Sequence, residues 1–154
     1  MSDVFQWDAE LAIGVPQIDR EHRHLIDLAA QMQAAMLKGA GKALLDELLD
    51  RLIAYTREHF LHEEDLMRGA EYPGLPQHVR QHDFLRTQVR EMRMRASNGE
   101  VTMTIEVLQF LVEWIRQHIA VSDRKIAAYV VARPEFRVGA LTRGDRASRT
   151  LLPR

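Results

Sequence analysis

Residues 59 to 67 read HFLHEEDLM and place two histidines and three acids in nine positions, beside apolar residues that belong in a core. Imidazole nitrogens and carboxylate oxygens this close can pair with one another or converge on a metal ion. Helix geometry sorts them. At about 100° of rotation per residue, Glu63 falls roughly 40° from His59, and both lie near the middle of the stripe from Leu45 to Leu66. His62 and Glu64 are thrown about 100° to opposite sides of Glu63, which predicts flank or surface positions.

The other chemistry-bearing residues recur at related spacings. His78 and His82 stand four apart, so that two imidazoles on one helix face can share an ion. His118 is followed by Asp123 after five residues, a step that an ordinary helix would rotate about 140° away. The apolar register slips at the same place, running Leu111, Ile115, His118, then Asp123, Ile126, Val130. One inserted residue of this kind is what a π-bulge supplies, and such bulges often occur at functional sites.

Four long segments must position these groups. Breaks fall at Gly14 and Pro16, at Lys38 to Gly41, at Arg68 to Pro76, at Ser97 to Gly99, and from Pro134 onward. The stretches between them are rich in good helix formers and show no period-two alternation, which predicts helices over 18–38, 42–68, 76–97 and 101–131. Short connections between long amphipathic helices predict an all-α fold, an up-down-up-down four-helix bundle. Residues 1–16 form an extended N-terminal arm in this reading, packing through Trp7, Leu11 and Ile13. The bundle spans 1–133, and 134–154 is an Arg-rich C-terminal tail without a helical stripe, expected to be disordered.

Stepping by three and four along each helix gives the inward seam. The first helix contributes Ile18, His22, Leu25, Ala29, Met32 and Met36, and the second Leu45, Leu49, Leu52, Thr56, His59, Glu63 and Leu66. The third contributes Leu75, His78, His82, Leu85, Val89 and Met92, and the fourth Leu108, Leu111, Ile115 and His118. A lone histidine on an apolar face is ordinarily a core residue satisfied by hydrogen bonds. Here five of the seven histidines, with Glu63, occupy seam positions. Burying them without a shared partner would cost on the order of 1–3 kcal/mol each, more for the carboxylate. A bound metal removes that cost, and five imidazoles with two carboxylates suit two ions better than one tetrahedral ion. The N/O donor mixture suits iron, with manganese or zinc as alternatives.

Composition narrows the rest. A net charge of -1 gives no global reason to expect nucleic acid, and the absence of cysteine rules out disulfides and thiolate-ligated clusters. No uncharged apolar run is long enough to span a bilayer, and the N-terminal residues do not resemble a secretory signal, so the expected location is the cytoplasm.

The motifs together resemble the hemerythrin family, specifically the single-domain bacteriohemerythrins. The resemblance rests on Trp7-Asp8, on I-D-x-x-H from Ile18 to His22 and on H-F-x-x-E-E from His59 to Glu64. It continues in Y-P-G-x-x-x-H-x-x-x-H from Tyr72 to His82 and W-x-x-x-H-x-x-x-x-D from Trp114 to Asp123. It implies that His78, His82 and His118 bind one iron and that His22 and His59 bind the other. Glu63 and Asp123 would bridge the two together with a solvent-derived oxygen. The iron with fewer histidines would keep the open position at which O2 binds, with Phe60 and Ile115 as candidate pocket walls. Glu21 stands where the family often has Gln, and is expected to point away from the site. His24 and His62 fall outside the seam and are expected at the surface. The implied role is reversible O2 carriage, storage or delivery without catalysis. The competing readings are an O2 or redox sensor acting through a separate protein partner, and a di-iron oxidase, peroxidase or nitric-oxide-handling enzyme.

Overall fold

The computed structural model describes residues 3–100 and 102–133. Four long helical stretches follow one another: α1 (Pro16–Leu37), α2 (Lys42–Gly69), α3 (Leu75–Ser97), and a fourth stretch made of α4 (Ile105–His118), a π turn (Ile119–Asp123) and α5 (Arg124–Val131). There is no strand among the described residues, and no helix there is long and apolar enough to cross a membrane. The segment 134–154, anticipated as a tail, lies outside the described residues.

Local chemistry sets the boundaries. Pro16 opens α1, where its missing N–H costs nothing. Just before it, the Asp19 carboxylate turns back and accepts hydrogen bonds from the backbone N–H of Ile13 (2.8 Å) and Gly14 (3.0 Å). The first three helices end in the same way. Residues with positive φ, at Gly39, Glu71 and Gly99, let the next N–H close on a carbonyl five residues back, as in Ala40 to Ala35 (3.0 Å) and Tyr72 to Met67 (2.9 Å). The fourth stretch begins at Ile105 rather than 101, because the Thr104 hydroxyl caps it by accepting from the Val107 N–H (3.2 Å).

Helix α1 packs on α2 and α4, and α2 packs on α3, giving the up-down-up-down bundle. The seam is buried as anticipated, with Met36, Leu45, Leu75, Val89 and Met92 only partly covered. Apolar side chains gather in three clusters. One surrounds Leu25, Met32, Leu49, Leu52 and Leu108; a second joins Ile18, Leu66, Met67, Ile126 and Val130; a third joins Ile26, Phe60, Leu85, Leu111, Ile115 and Ile119. Along α1 and α2 the histidines and Glu63 fall between the second cluster and the other two. The arm packs as expected, with Leu11 buried and Trp7 and Ile13 partly covered against the third cluster. It forms a short 3-10 turn at Ala9–Leu11 rather than staying fully extended. Arg116 secures it by donating to the Gln6 carbonyl (2.8 Å).

Candidate metal centre

All four helical stretches send donors to one place. His22 comes from α1, His59 and Glu63 from α2, His78 and His82 from α3, His118 from the end of α4 and Asp123 from the end of the π turn; all seven are buried. The π turn is the device the register slip anticipated. Its extra residue lets Asp123 face the same interior as His118 despite a separation of five.

The two carboxylates divide the donors between their oxygens. Glu63 Oε1 lies 3.0 Å from His22 Nε2 and 2.8 Å from His59 Nε2, whereas Oε2 lies 3.4 Å from His78 Nε2 and 3.2 Å from His82 Nε2. Asp123 Oδ2 lies 3.0 Å from His22 Nε2, and Oδ1 lies 3.1 Å from Nε2 of both His78 and His118. Two overlapping donor groups result, His22, His59, Glu63 and Asp123 in one, and Glu63, His78, His82, His118 and Asp123 in the other. Within each, the ligand atoms lie within 4.8 Å of one another.

The buried carboxylates and imidazoles shift one another's proton affinity. Burial disfavours the charged form of His59, but the Glu63 carboxylate and the hydrogen bond to Glu21 outweigh it and raise the imidazole to about 10. Burial likewise opposes charge on His78, and Asp123 and Glu63 raise it to about 9; the same two carboxylates raise His22 against its burial. Burial would lift Glu63, yet His59, with His22 and His78, holds it well below the usual carboxylate range. Asp123 is pushed up by burial and by Glu63, and is nonetheless held low by His118, His22 and His78.

These contacts do not satisfy the site. Glu63 Oε2, both oxygens of Asp123 and His82 Nε2 are buried with no aligned hydrogen-bond partner. The Nε2 atoms of His78 and His118 face each other at 3.1 Å, so at most one can donate. Buried polar atoms ordinarily find partners, and orphans collected at one point call for an electrophile. A pair of divalent cations satisfies the lone pairs of both carboxylates and five imidazoles together, so the donor set fits iron.

The model of the hemerythrin HHE cation binding domain matches residues 13–130. The chain belongs to the hemerythrin family. Among its hemerythrin relatives, a bacteriohemerythrin of Stenotrophomonas maltophilia is 33% identical over 126 residues, covering 82% of this chain and 81% of the relative. A bacteriohemerythrin of Ralstonia nicotianae is 31% identical over 130 residues, covering 84% and 91%. The crystal structure of a wild-type hemerythrin superposes with a TM-score of 0.77 at 24% identity, covering 81% of this chain and 96% of that one, and so matches in fold. Binding of O2 at a di-iron centre comes with family membership.

Two residues of the hemerythrin centre escape the seam pattern. Glu21 does not point away: it is buried, and its Oε1 lies 2.8 Å from His59 Nδ1. Glu64 is not outward-facing either; it is buried with Oε1 2.8 Å from His82 Nδ1. His62, expected at the surface, is partly covered and lies with Nδ1 2.8 Å from Glu21 Oε2. His24 is exposed as expected, with its ring against Tyr55. Against their burial, hydrogen bonds from His59 and His62 lower the Glu21 pKa, and those from His82 and Arg86 lower that of Glu64. Each histidine comes from a neighbouring helix, 38 residues from Glu21 and 18 from Glu64, and is invisible to a one-helix wheel, so no spacing in the sequence marked these contacts.

Proposed function

We propose that this protein is a reversible O2 carrier or store, working through bundle residues 1–133 rather than acting as an enzyme. The observation that carries the assignment is the division of Glu63 and Asp123 oxygens between two unequal sets of imidazoles. That division supports His78, His82 and His118 as the residues that would hold one iron and His22 and His59 as those that would hold the other, with Glu63 and Asp123 common to both sets and a solvent-derived oxygen expected to join them. The set with fewer histidines, His22 and His59, would be the half left able to take O2. Once bound, the iron pair supplies the reversible electron donation on which O2 binding depends.

The chain's own contribution is restraint. Neutral imidazoles stabilise high oxidation states less than anionic oxygens do, which favours carriage over substrate oxidation. Phe60 and Ile115 belong to one buried apolar cluster, and Phe60 stacks on the His82 ring at 3.8 Å between centroids. We assign them to the walls that keep water from the bound gas. We place the protein in the cytoplasm, where a reducing environment keeps iron ferrous between cycles.

The test is anaerobic loading with Fe(II), followed by O2 and then by its removal, while visible absorption is recorded. We expect a band that appears with O2 and vanishes on deoxygenation over repeated cycles, at two irons per chain as the two donor groups imply. Irreversible ferric formation on first exposure, with release of peroxide, would rule out carriage.

A further inference from the structure

Each half of the donor cluster contains one histidine whose outer nitrogen is engaged by a buried carboxylate. His59 Nδ1 meets Glu21 Oε1 at 2.8 Å, and His82 Nδ1 meets Glu64 Oε1 at 2.8 Å. An ionised carboxylate only accepts hydrogen bonds, so both Nδ1 atoms must carry the proton. That choice frees Nε2 of each ring, and both Nε2 atoms face Glu63. Tautomer and ring rotation are thereby set together.

The two carboxylates are held from behind by different chemistry. Glu64 Oε1 also accepts from Arg86 Nη2 at 2.8 Å. Arg86 is itself fixed by Asp83 at 2.8 Å and by the face of Phe60, 5.3 Å from the ring centroid. Phe60 in turn stacks on His82 with an interplanar angle of 7°. The imidazole, carboxylate, guanidinium and aromatic ring form a closed circuit around a permanent cation. Glu21 has no such circuit. Its Oε2 is shared by His62 Nδ1 at 2.8 Å and the Gln17 amide at 3.2 Å, both of which lie towards the surface.

We propose that Glu21 and Glu64 are positioning residues, one for each half of the centre, and that the two are unequal: Arg86 locks the Glu64–His82 pair, whereas His62 and Gln17 hold the Glu21–His59 pair more loosely. This rests on the cluster being a two-metal centre. Its consequence is functional asymmetry. The half with two histidines, which the proposed function assigns to O2, has the imidazole with more freedom to adjust as a ligand enters and leaves.

The experiment uses the full chain loaded with Zn(II), which is diamagnetic, with 15N-labelled histidine. Long-range proton–nitrogen correlation reads the tautomer and solvent exchange of each ring, and competition with a chelator reads zinc affinity. In the unaltered chain we expect protons on Nδ1 of both His59 and His82, that of His82 exchanging more slowly. Glu21→Ala should speed exchange at His59 about tenfold or more and weaken zinc binding about 10–100-fold, leaving His82 unchanged; Glu64→Ala should do the reverse. Glu21→Gln keeps an acceptor oxygen and should recover most of the affinity, and it carries the test if the alanine variant fails to fold. His62→Ala and Arg86→Ala should each loosen only their own histidine. Unchanged His59 exchange and zinc affinity in Glu21→Ala would overturn the positioning role, and faster exchange at His82 than at His59 would overturn the asymmetry. A chain that takes up fewer than two zinc ions, or that carries its protons on Nε2, would overturn the metal-centre reading itself.

Discussion

Loss of the Glu63 carboxylate should be the most damaging single change to metal binding, because its two oxygens meet four imidazoles across both halves of the centre, against three for Asp123. We expect Glu63→Ala to abolish two-iron loading, and His59→Ala to do so by removing one of only two imidazoles in its half; iron-to-protein ratios after desalting would check both. His24→Ala, on an exposed ring, should leave loading unchanged. Equal losses in all three would mean that the seam does not define the centre. Six of the seven clustered side chains were legible from periodicity, since a polar group recurring in an apolar seam stands out against the residues above and below it, and Asp123 was legible from the slip in that periodicity. Glu21 and Glu64 were not, because each lies about 100° from a seam neighbour on its own helix and finds its histidine on another. Their burial is a property of helix pairs, which no single periodicity encodes.

At the scale of the element, the π turn makes a prediction that separates it from an ordinary stretch of helix. Removing one residue from a regular helix rotates everything beyond it by about 100°, which would throw Asp123, Ile126 and Val130 out of the interior. Removing exposed Val121 here should instead turn the five-residue step into one of four and keep those side chains inward. We expect the variant to melt within a few degrees of the unaltered chain by circular dichroism, with weaker metal binding because Asp123, though still inward, no longer stands at the spacing from His118 that the π turn sets. Complete unfolding would show that the extra residue is structural rather than an insertion tolerated for the site. A second inter-helix element responds to pH. Arg93 of α3 holds both oxygens of Asp50 on α2, at 2.6 and 3.1 Å, and this pairing keeps the Asp50 carboxyl below its ordinary value. A depressed carboxyl stabilises the fold above its unfolded pKa of about 3.9, and that contribution fades as pH falls through the folded value. Both groups are partly exposed, so screening limits the pair to roughly 0.2–1 kcal/mol. Asp50→Asn should therefore cost that amount in urea unfolding at pH 7 and almost nothing near pH 2; a loss independent of pH would point to packing instead.

For the whole molecule, the placement of the polar cluster between apolar ones decides what metal removal does. Small metal-dependent domains unfold without their ion because they lack another core. Here three apolar clusters built from all four helical stretches bury Leu, Ile, Met and Phe side chains independently of the donors. The bundle was legible for the same reason: these clusters are the apolar stripes of the sequence, closed upon each other by short connections. Metal-free protein must still bury Glu63 and Asp123 among five imidazoles with carboxylate oxygens left unpartnered, a standing penalty that a cation relieves. Ligation at free metal of about 1,000 times Kd adds about 4 kcal/mol by mass action, equivalent to roughly 10–20 °C in Tm for a domain of this size. We therefore expect chelation to lower the melting midpoint by that order while helical circular dichroism at 25 °C is retained, and re-addition of Fe(II) under anaerobic conditions to restore it. Collapse of the helical signal on chelation would mean that the apolar clusters cannot hold the buried charges alone, and that the centre is part of the folding core rather than a load placed on a bundle that folds without it.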